Sequence, residues 1–212
     1  MKYASFVYSR PCFFKFWGGL LQERFLKSRV LIWCVLAIPA AIILYRYHSD
    51  DLSYGEVIHE TGEWAVRLLI LTMAVTPLRL AAPRVRWTPW LVQNRRGFGV
   101  ATFCYAALHL AVYLARKQEL VLILEEGVEW DLLTGWLAFA IFILLAATSN
   151  GAALRLLRRL WKQLHRFVYL AALLTFAHWM LTAFDMTPAI IYAVILGLVE
   201  AARLFLQYRR VR

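Results

Sequence analysis

Residues 164–183 read LHRFVYLAALLTFAHWMLTA, and residues 97–115 read GFGVATFCYAALHLAVYLA. Each run is predominantly apolar and has the roughly 20 residues a helix needs to cross a hydrocarbon core about 30 Å thick. Each also carries histidine: His109 in the earlier run, His165 and His178 in the later one. An ionisable or ligating side chain at membrane depth is costly, so it marks a functional site by default. A neutral imidazole nitrogen is a usual axial ligand of haem iron. The two runs therefore predict transmembrane helices with a haem held between them.

The rest of the chain agrees on the membrane. Of 212 residues, 62% are hydrophobic and 17% charged, and the mean hydropathy is +0.59. A soluble domain sits near 45–50% apolar. Four further apolar runs, at 30–47, 64–82, 132–149 and 187–207, bring the total to six. The fold class is an all-α membrane protein, a six-transmembrane-helix bundle over residues 30–208. A basic and aromatic arm precedes it at 1–29, where Phe13, Phe14, Phe16 and Trp17 lie among Lys15 and Arg24, and a basic tail follows at 209–212. Pro39 is expected to kink the first helix, and Thr187-Pro188 to start the sixth as N-cap and N1. No internal repeat stands out.

The net charge of +11 is distributed in a way that favours topology over nucleic-acid binding. Basic residues gather in the N-terminal arm, in the loop holding Arg79, Arg84, Arg86, Arg95 and Arg96, in the loop holding Arg155, Arg158, Arg159 and Lys162, and in the tail. The other loops are acidic, with Asp50, Asp51, Glu56 and Glu60, then Glu119, Glu125, Glu126, Glu129 and Asp131, then Asp185. Basic loops stay inside, so both termini are expected in the cytoplasm. The third and fifth helices then run outward. His109 and His178 each fall ~18–20 Å from the cytoplasmic ends at ~1.5 Å per residue, which places them at one depth. His165 falls near the cytoplasmic surface, level with Arg95 and Arg96.

Each candidate has a plainer reading beside it. His109 and His178 could share an iron or simply hydrogen-bond each other. His165 could anchor an inner haem or a flavin-proximal group, or be an interfacial side chain. On an ideal helix it lies about 140° from His178, so the two do not face one gap. Arg95 shares a face with His109 and, like Arg96, suits a propionate or phosphate. Arg67 could bridge to an outer propionate, snorkel, or pair with Glu63 at i−4. His59 could approach the outer haem edge, while His48 is expected in solvent. Cys12, Cys34 and Cys104 form no CxxCH, which excludes covalent c-type attachment. No cleavable signal peptide is expected.

An ordered set of short motifs carries a resemblance: His59-Glu60-Thr61-Gly62, Thr76-Pro77-Leu78-Arg79, Arg95-Arg96-Gly97-Phe98-Gly99, His109-Leu110, Thr148-Ser149, and Trp161…His165-x3-Tyr169…His178. Over about residues 50–205 the chain resembles the MsrQ (YedZ) family. These are haem-binding membrane subunits of bacterial methionine sulfoxide reductase systems, within the ferric-reductase-like transmembrane family. The resemblance implies an inner-membrane cytochrome b with one or two haems on His109, His165 and His178, and FMN binding. It also implies a periplasmic molybdopterin-dependent MsrP-like reductase as electron acceptor. The wider superfamily places two histidines on each of two helices, whereas the third helix here has one. No GxGxxG occurs, so electrons are expected from quinol or a separate cytoplasmic flavin reductase. The alternatives are a ferric reductase, a general quinol-linked cytochrome b, or a haem-free transporter or structural membrane protein. The topology predicts that a reporter fused after Arg212 is active as a cytoplasmic fusion. Activity as a periplasmic fusion would contradict it.

Overall fold

A computed structural model describes residues 29–117, 121 and 125–211. Almost all of the expected N-terminal arm, Cys12 and the end of the basic tail lie outside these residues. The described elements are helical: α1 (Arg29–His48), α2 (Tyr54–Ala81), α3 (Trp87–Lys117), α4 (Trp130–Ala147), the short α5 (Gly151–Leu157) and α6 (Arg159–Leu164), a 3₁₀ turn at His165–Phe167, α7 (Val168–Thr182) and α8 (Thr187–Val211). Six segments are long and apolar enough to cross a membrane, with α6, the 3₁₀ turn and α7 forming one of them.

Two helices start well before the apolar runs that betray them. The expected second span begins at residue 64, yet α2 begins at Tyr54. Ser53 is its N-cap: the Glu56 amide donates to Ser53 Oγ at 3.3 Å, and the Ser53 amide donates to the Glu56 carboxylate at 2.8 Å. This reciprocal capping box satisfies amide donors at the helix start, so the polar turns holding His59, Glu60 and Glu63 stay helical. Likewise α3 starts at Trp87 rather than 97, taking in Arg95 and Arg96. Polar residues at a helix end lower hydropathy without ending the helix. Helix α1 continues through Pro39, and the amide of Ala40 donates to the phenol oxygen of Tyr105 at 3.0 Å. At the other end, the Thr187 amide donates to Asp185 Oδ1 at 2.9 Å, so α8 starts at Thr187, one residue early.

Helix α2 is the most enclosed span. It packs against α3 and α8, while α4 packs against α7 and α3. The largest core cluster joins Leu69 and Met73 of α2, Ala138 and Phe142 of α4, and Ala171 and Ala172 of α7. Lipid is as apolar as leucine, so helices associate through close packing rather than through the hydrophobic effect. Small residues at the contacts follow from this: Ala65, Ala101, Ala138, Ala171 and Ala172 are buried, while Leu173 and Leu198 lie exposed on outer faces. Buried hydroxyls bond back to their own helices, Thr72 to the Leu68 carbonyl at 2.8 Å and Thr102 to that of Phe98 at 3.1 Å. Such bonds satisfy these hydroxyls within hydrocarbon. Ala171 is fully buried. Ala171→Leu should therefore overpack the α4–α7 contact and destabilise the protein by about 1–3 kcal/mol. A lower thermal unfolding midpoint in detergent is the check.

Candidate functional site

One cavity of roughly 770 Å³ opens among α2, α3, α4 and α7, and His109 and His178 both line it. That size falls within the range of about 300–1,000 Å³ usual for cofactor sites. The ring centroids of the two histidines are 6.2 Å apart, with their planes at 86°. Matched depth read from residue counting is thus realised as ring-to-ring proximity across the cavity.

Backbone carbonyls fix both rings. His109 Nδ1 lies 2.8 Å from the Ile58 carbonyl oxygen on α2, and His178 Nδ1 lies 2.7 Å from that of Asp131 on α4. A carbonyl can only accept, so each ring carries a proton on Nδ1 and donates it. Nε2 is then left with its lone pair free for a ligand. Each ring also lies on a glycine one helical turn beyond its carbonyl. A Cβ on Gly62 would come within 3.1 Å of His109 Nδ1, and one on Gly135 within 2.8 Å of His178 Nδ1.

The residues fit a haem: two imidazoles from different helices line one cavity with ring centroids 6.2 Å apart, each with its Nδ1 tied to a carbonyl. Among the described residues no three His, Cys, Asp or Glu side chains gather as a metal site. Two protein ligands suit a metal whose remaining positions are filled by a macrocycle.

The other candidates fall into separate groups. His59 lines the cavity and meets Trp179 edge-on at 6.0 Å. Arg67 is engaged elsewhere: it donates to Glu63 at 2.7 Å and to the Tyr192 phenol at 2.9 Å, and that phenol donates to the same Glu63 oxygen at 2.9 Å. The i−4 pair with Glu63 is present. His165 stacks on Trp161 at 3.9 Å, with its Nε2 3.2 Å from Thr148 Oγ1. Trp161 Nε1 donates to the Thr148 carbonyl at 2.9 Å, and the Arg96 guanidinium lies 5.5 Å from the Trp161 ring centroid. Arg95 donates to the Thr72 carbonyl at 3.0 Å. His165 therefore belongs with Arg96, Trp161 and Thr148, while His48, at the end of α1, is exposed.

Sequence reasoning passed over Gly135, the Asp131 carbonyl as an acceptor at the site, Ile58 and Tyr192. Gly62 stood in a quoted motif but had no role. The available signal was Thr-Gly, present at 61–62 and again at 134–135, each within a helix opposite a cavity-lining histidine.

Fold and site together define a multi-pass membrane protein with a paired-histidine centre inside its helix bundle. The family described as ferric reductase like transmembrane component matches residues 61–176. The chain is 36% identical over 177 residues to the protein-methionine-sulfoxide reductase heme-binding subunit MsrQ of Caulobacter vibrioides, covering 78% of this chain and 80% of that protein. It is 37% identical over 193 residues to the MsrQ of Xanthomonas campestris pv. campestris, covering 85% and 87%. It is 32% identical over 207 residues to that of Ralstonia nicotianae, covering 92% and 93%. The chain belongs to the ferric-reductase-like transmembrane family and, within it, to the MsrQ family. Six spans and these bacterial relatives make it a multi-pass protein of the bacterial inner membrane.

The hydrogen bonds predict the tautomers directly. In ¹⁵N NMR spectra of histidine-labelled protein, two rings should report Nδ1 protonated and Nε2 unprotonated at neutral pH, and His109→Ala and His178→Ala should each remove one of them. Finding Nδ1 unprotonated in both rings would contradict the arrangement.

Proposed function

We propose that this protein is a b-type haem electron-transfer subunit that delivers electrons outward to a periplasmic molybdopterin-dependent methionine sulfoxide reductase. The observation that carries the reading is the His109–His178 pair, 6.2 Å apart across one cavity with both Nδ1 atoms tied to carbonyls. The relatives named as heme-binding subunits support it. A haem bound there would supply one-electron redox chemistry, while the chain supplies position, access and electrostatics. His109 and His178 would hold its iron. A hydrogen bond from Nδ1–H to a carbonyl raises the donor strength of the opposite nitrogen and locks the ring's orientation.

The direction of delivery rests on charge. The cavity lining includes Glu56, Glu63 and Asp185. These sit in or beside the acidic loops, which the basic-inside bias puts on the periplasmic side together with a cytoplasmic placement of both termini. Toward the basic side, the group of His165, Trp161, Arg96 and Thr148 has the cations and flat aromatic surface suited to an anionic, planar donor such as FMN, a flavin reductase's flavin or a second haem. Quinol is the other donor this end could admit. His59, facing the cavity beside Trp179, would contact the outer edge of the bound group. The family description also keeps ferric iron open as an alternative acceptor.

The purified protein should give a reduced-minus-oxidised spectrum of a low-spin bis-histidine haem b. His109→Ala and His178→Ala should each abolish or strongly diminish it, while His165→Ala should keep that haem and slow its reduction by a flavin reductase or quinol. Wild-type spectra and haem content in both His109→Ala and His178→Ala would sink the reading. Normal reduction kinetics and haem content in His165→Ala would make that residue an interfacial histidine.

A further inference from the structure

The two cavity histidines come from different helices and dock on different partners, yet the same arrangement of backbone and side chains holds each. A carbonyl receives the imidazole N–H, a threonine stands three residues on, and a glycine stands four residues on. On α2 these are Ile58, Thr61 and Gly62; on α4 they are Asp131, Thr134 and Gly135. The hydroxyls repeat the pattern. Thr61 Oγ1 donates to the carbonyls of Val57 at 2.8 Å and Ile58 at 3.1 Å. Thr134 Oγ1 donates to those of Trp130 at 3.1 Å and Asp131 at 2.9 Å.

The geometry has a steric reason. A carbonyl inside an α-helix already accepts the amide four residues on. A second donor must approach from outside, past the side chain at that i+4 position. At Gly62 a Cβ would lie 3.1 and 3.3 Å from Nδ1 and Cε1 of His109. At Gly135 it would lie 2.8, 2.9 and 3.1 Å from Nδ1, Cε1 and Cγ of His178. Among the described glycines only these two would bring a Cβ within 3.4 Å of a neighbour, and Gly97 and Gly197 would meet nothing within 4 Å. Glycine is among the poorest residues for a helix interior. Its placement under both rings follows from the close approach rather than from the helix.

We propose that Thr61-Gly62 and Thr134-Gly135 form two matching cradles, positioning pairs that set the orientation and the donor strength of the His109 and His178 imidazoles as axial ligands. The glycine admits the ring to the carbonyl. The threonine hydroxyl shares that carbonyl oxygen with the imidazole N–H and draws electron density from it. This moderates how far the carbonyl strengthens the ligand, and hydrogen bonding around an axial ligand is one of the levers that sets a haem's potential. Removing the hydroxyl leaves a better acceptor, a more electron-rich imidazole and a better stabilised oxidised iron. The midpoint potential must then fall.

This inference rests on the haem reading proposed above, and the experiment separates the two. The full-length protein, purified with its haem, is compared with Thr61→Val, Thr134→Val, Thr61→Ser, Thr134→Ser, Gly62→Ala and Gly135→Ala. The readouts are haem content, the low-spin signature in electron paramagnetic resonance, and the midpoint potential of the haem that His109→Ala removes. Both valine variants should keep the haem and its low-spin signature with a lowered potential, and both serine variants should restore the wild-type value. Gly135→Ala should disturb the low-spin signature more than Gly62→Ala, in the order of the approach distances. Unchanged or raised potentials in both valine variants overturn the cradles, whether or not the glycine variants fold. If that happens while His109→Ala and His178→Ala still lose the haem, only the cradles fail. A wild-type protein without haem overturns both readings.

Discussion

The bond from an imidazole Nδ1–H to a helix carbonyl, made twice, is the constraint around which this bundle is arranged. In hydrocarbon a buried polar group must find a partner within the protein. A histidine side chain placed there needs an acceptor for its N–H before its other nitrogen can do anything useful. Side-chain carboxylates would meet that need but would bring a buried charge, which is costly to desolvate. A helix carbonyl brings no net charge and is held rigidly. Using it requires that two helices lie almost in contact where the ring docks. That requirement explains why α2 sits against α3, and α4 against α7, at the level of Gly62 and Gly135.

The rest of the packing keeps those contacts close. Ala138, Ala171 and Ala172 let α4 and α7 approach below the His178 cradle, with Phe142 filling the space beside them. Ile43 of α1, Leu52 and Val57 form a cluster at the start of α2, with Trp64 and Val112 against it, steadying the turn whose Ile58 carbonyl receives His109. The capping box at Ser53 acts on the same turn from the other side. Without it the first turns of α2, polar on the outside, would have little reason to remain helical, and the Ile58 carbonyl would have no fixed position.

Much of this was legible in the sequence, and what was not has a physical cause. Six spans follow from hydropathy, because lipid-facing and core-facing residues are both apolar here. The pairing of His109 with His178 follows from counting residues along helices that run the same way. The starts of α2 and α3 do not follow from hydropathy, since polar residues such as His59, Glu63 and Arg95 occupy real helical turns. Ser53-x-x-Glu56 was the signal that would have placed the first of them. The cradles were hidden for another reason: a backbone carbonyl leaves no trace in residue identity. The two copies share only Thr-Gly and a spacing, too little to read as an internal repeat. His165 illustrates a third cause. The 3₁₀ turn at His165–Phe167 breaks the ideal helical register, so its direction came from Trp161 and Thr148 rather than from its angle to His178.

The arginines show how charge is divided between the two ends. Arg67 closes a triangle with Glu63 and Tyr192, and Tyr192 stacks on Trp179 at 5.7 Å, beside the core contact of Val66, Ile70 and Phe176. The triangle therefore clasps α8 to α2 and neutralises the cation within the protein. The basic end is built differently. Among the described residues the ion pairs do not include Arg95 or Arg96. Arg95 directs a donor to a backbone carbonyl, which leaves its positive charge uncompensated by that bond, and Arg96 rests on the face of an indole. An arginine stacked on a neutral indole, as Arg96 is, keeps its attraction for an anion while losing little freedom when one arrives. The end of the bundle carrying His165 thus presents Arg96 on a neutral aromatic face, whereas at the other end Arg67 is paired with its own carboxylate.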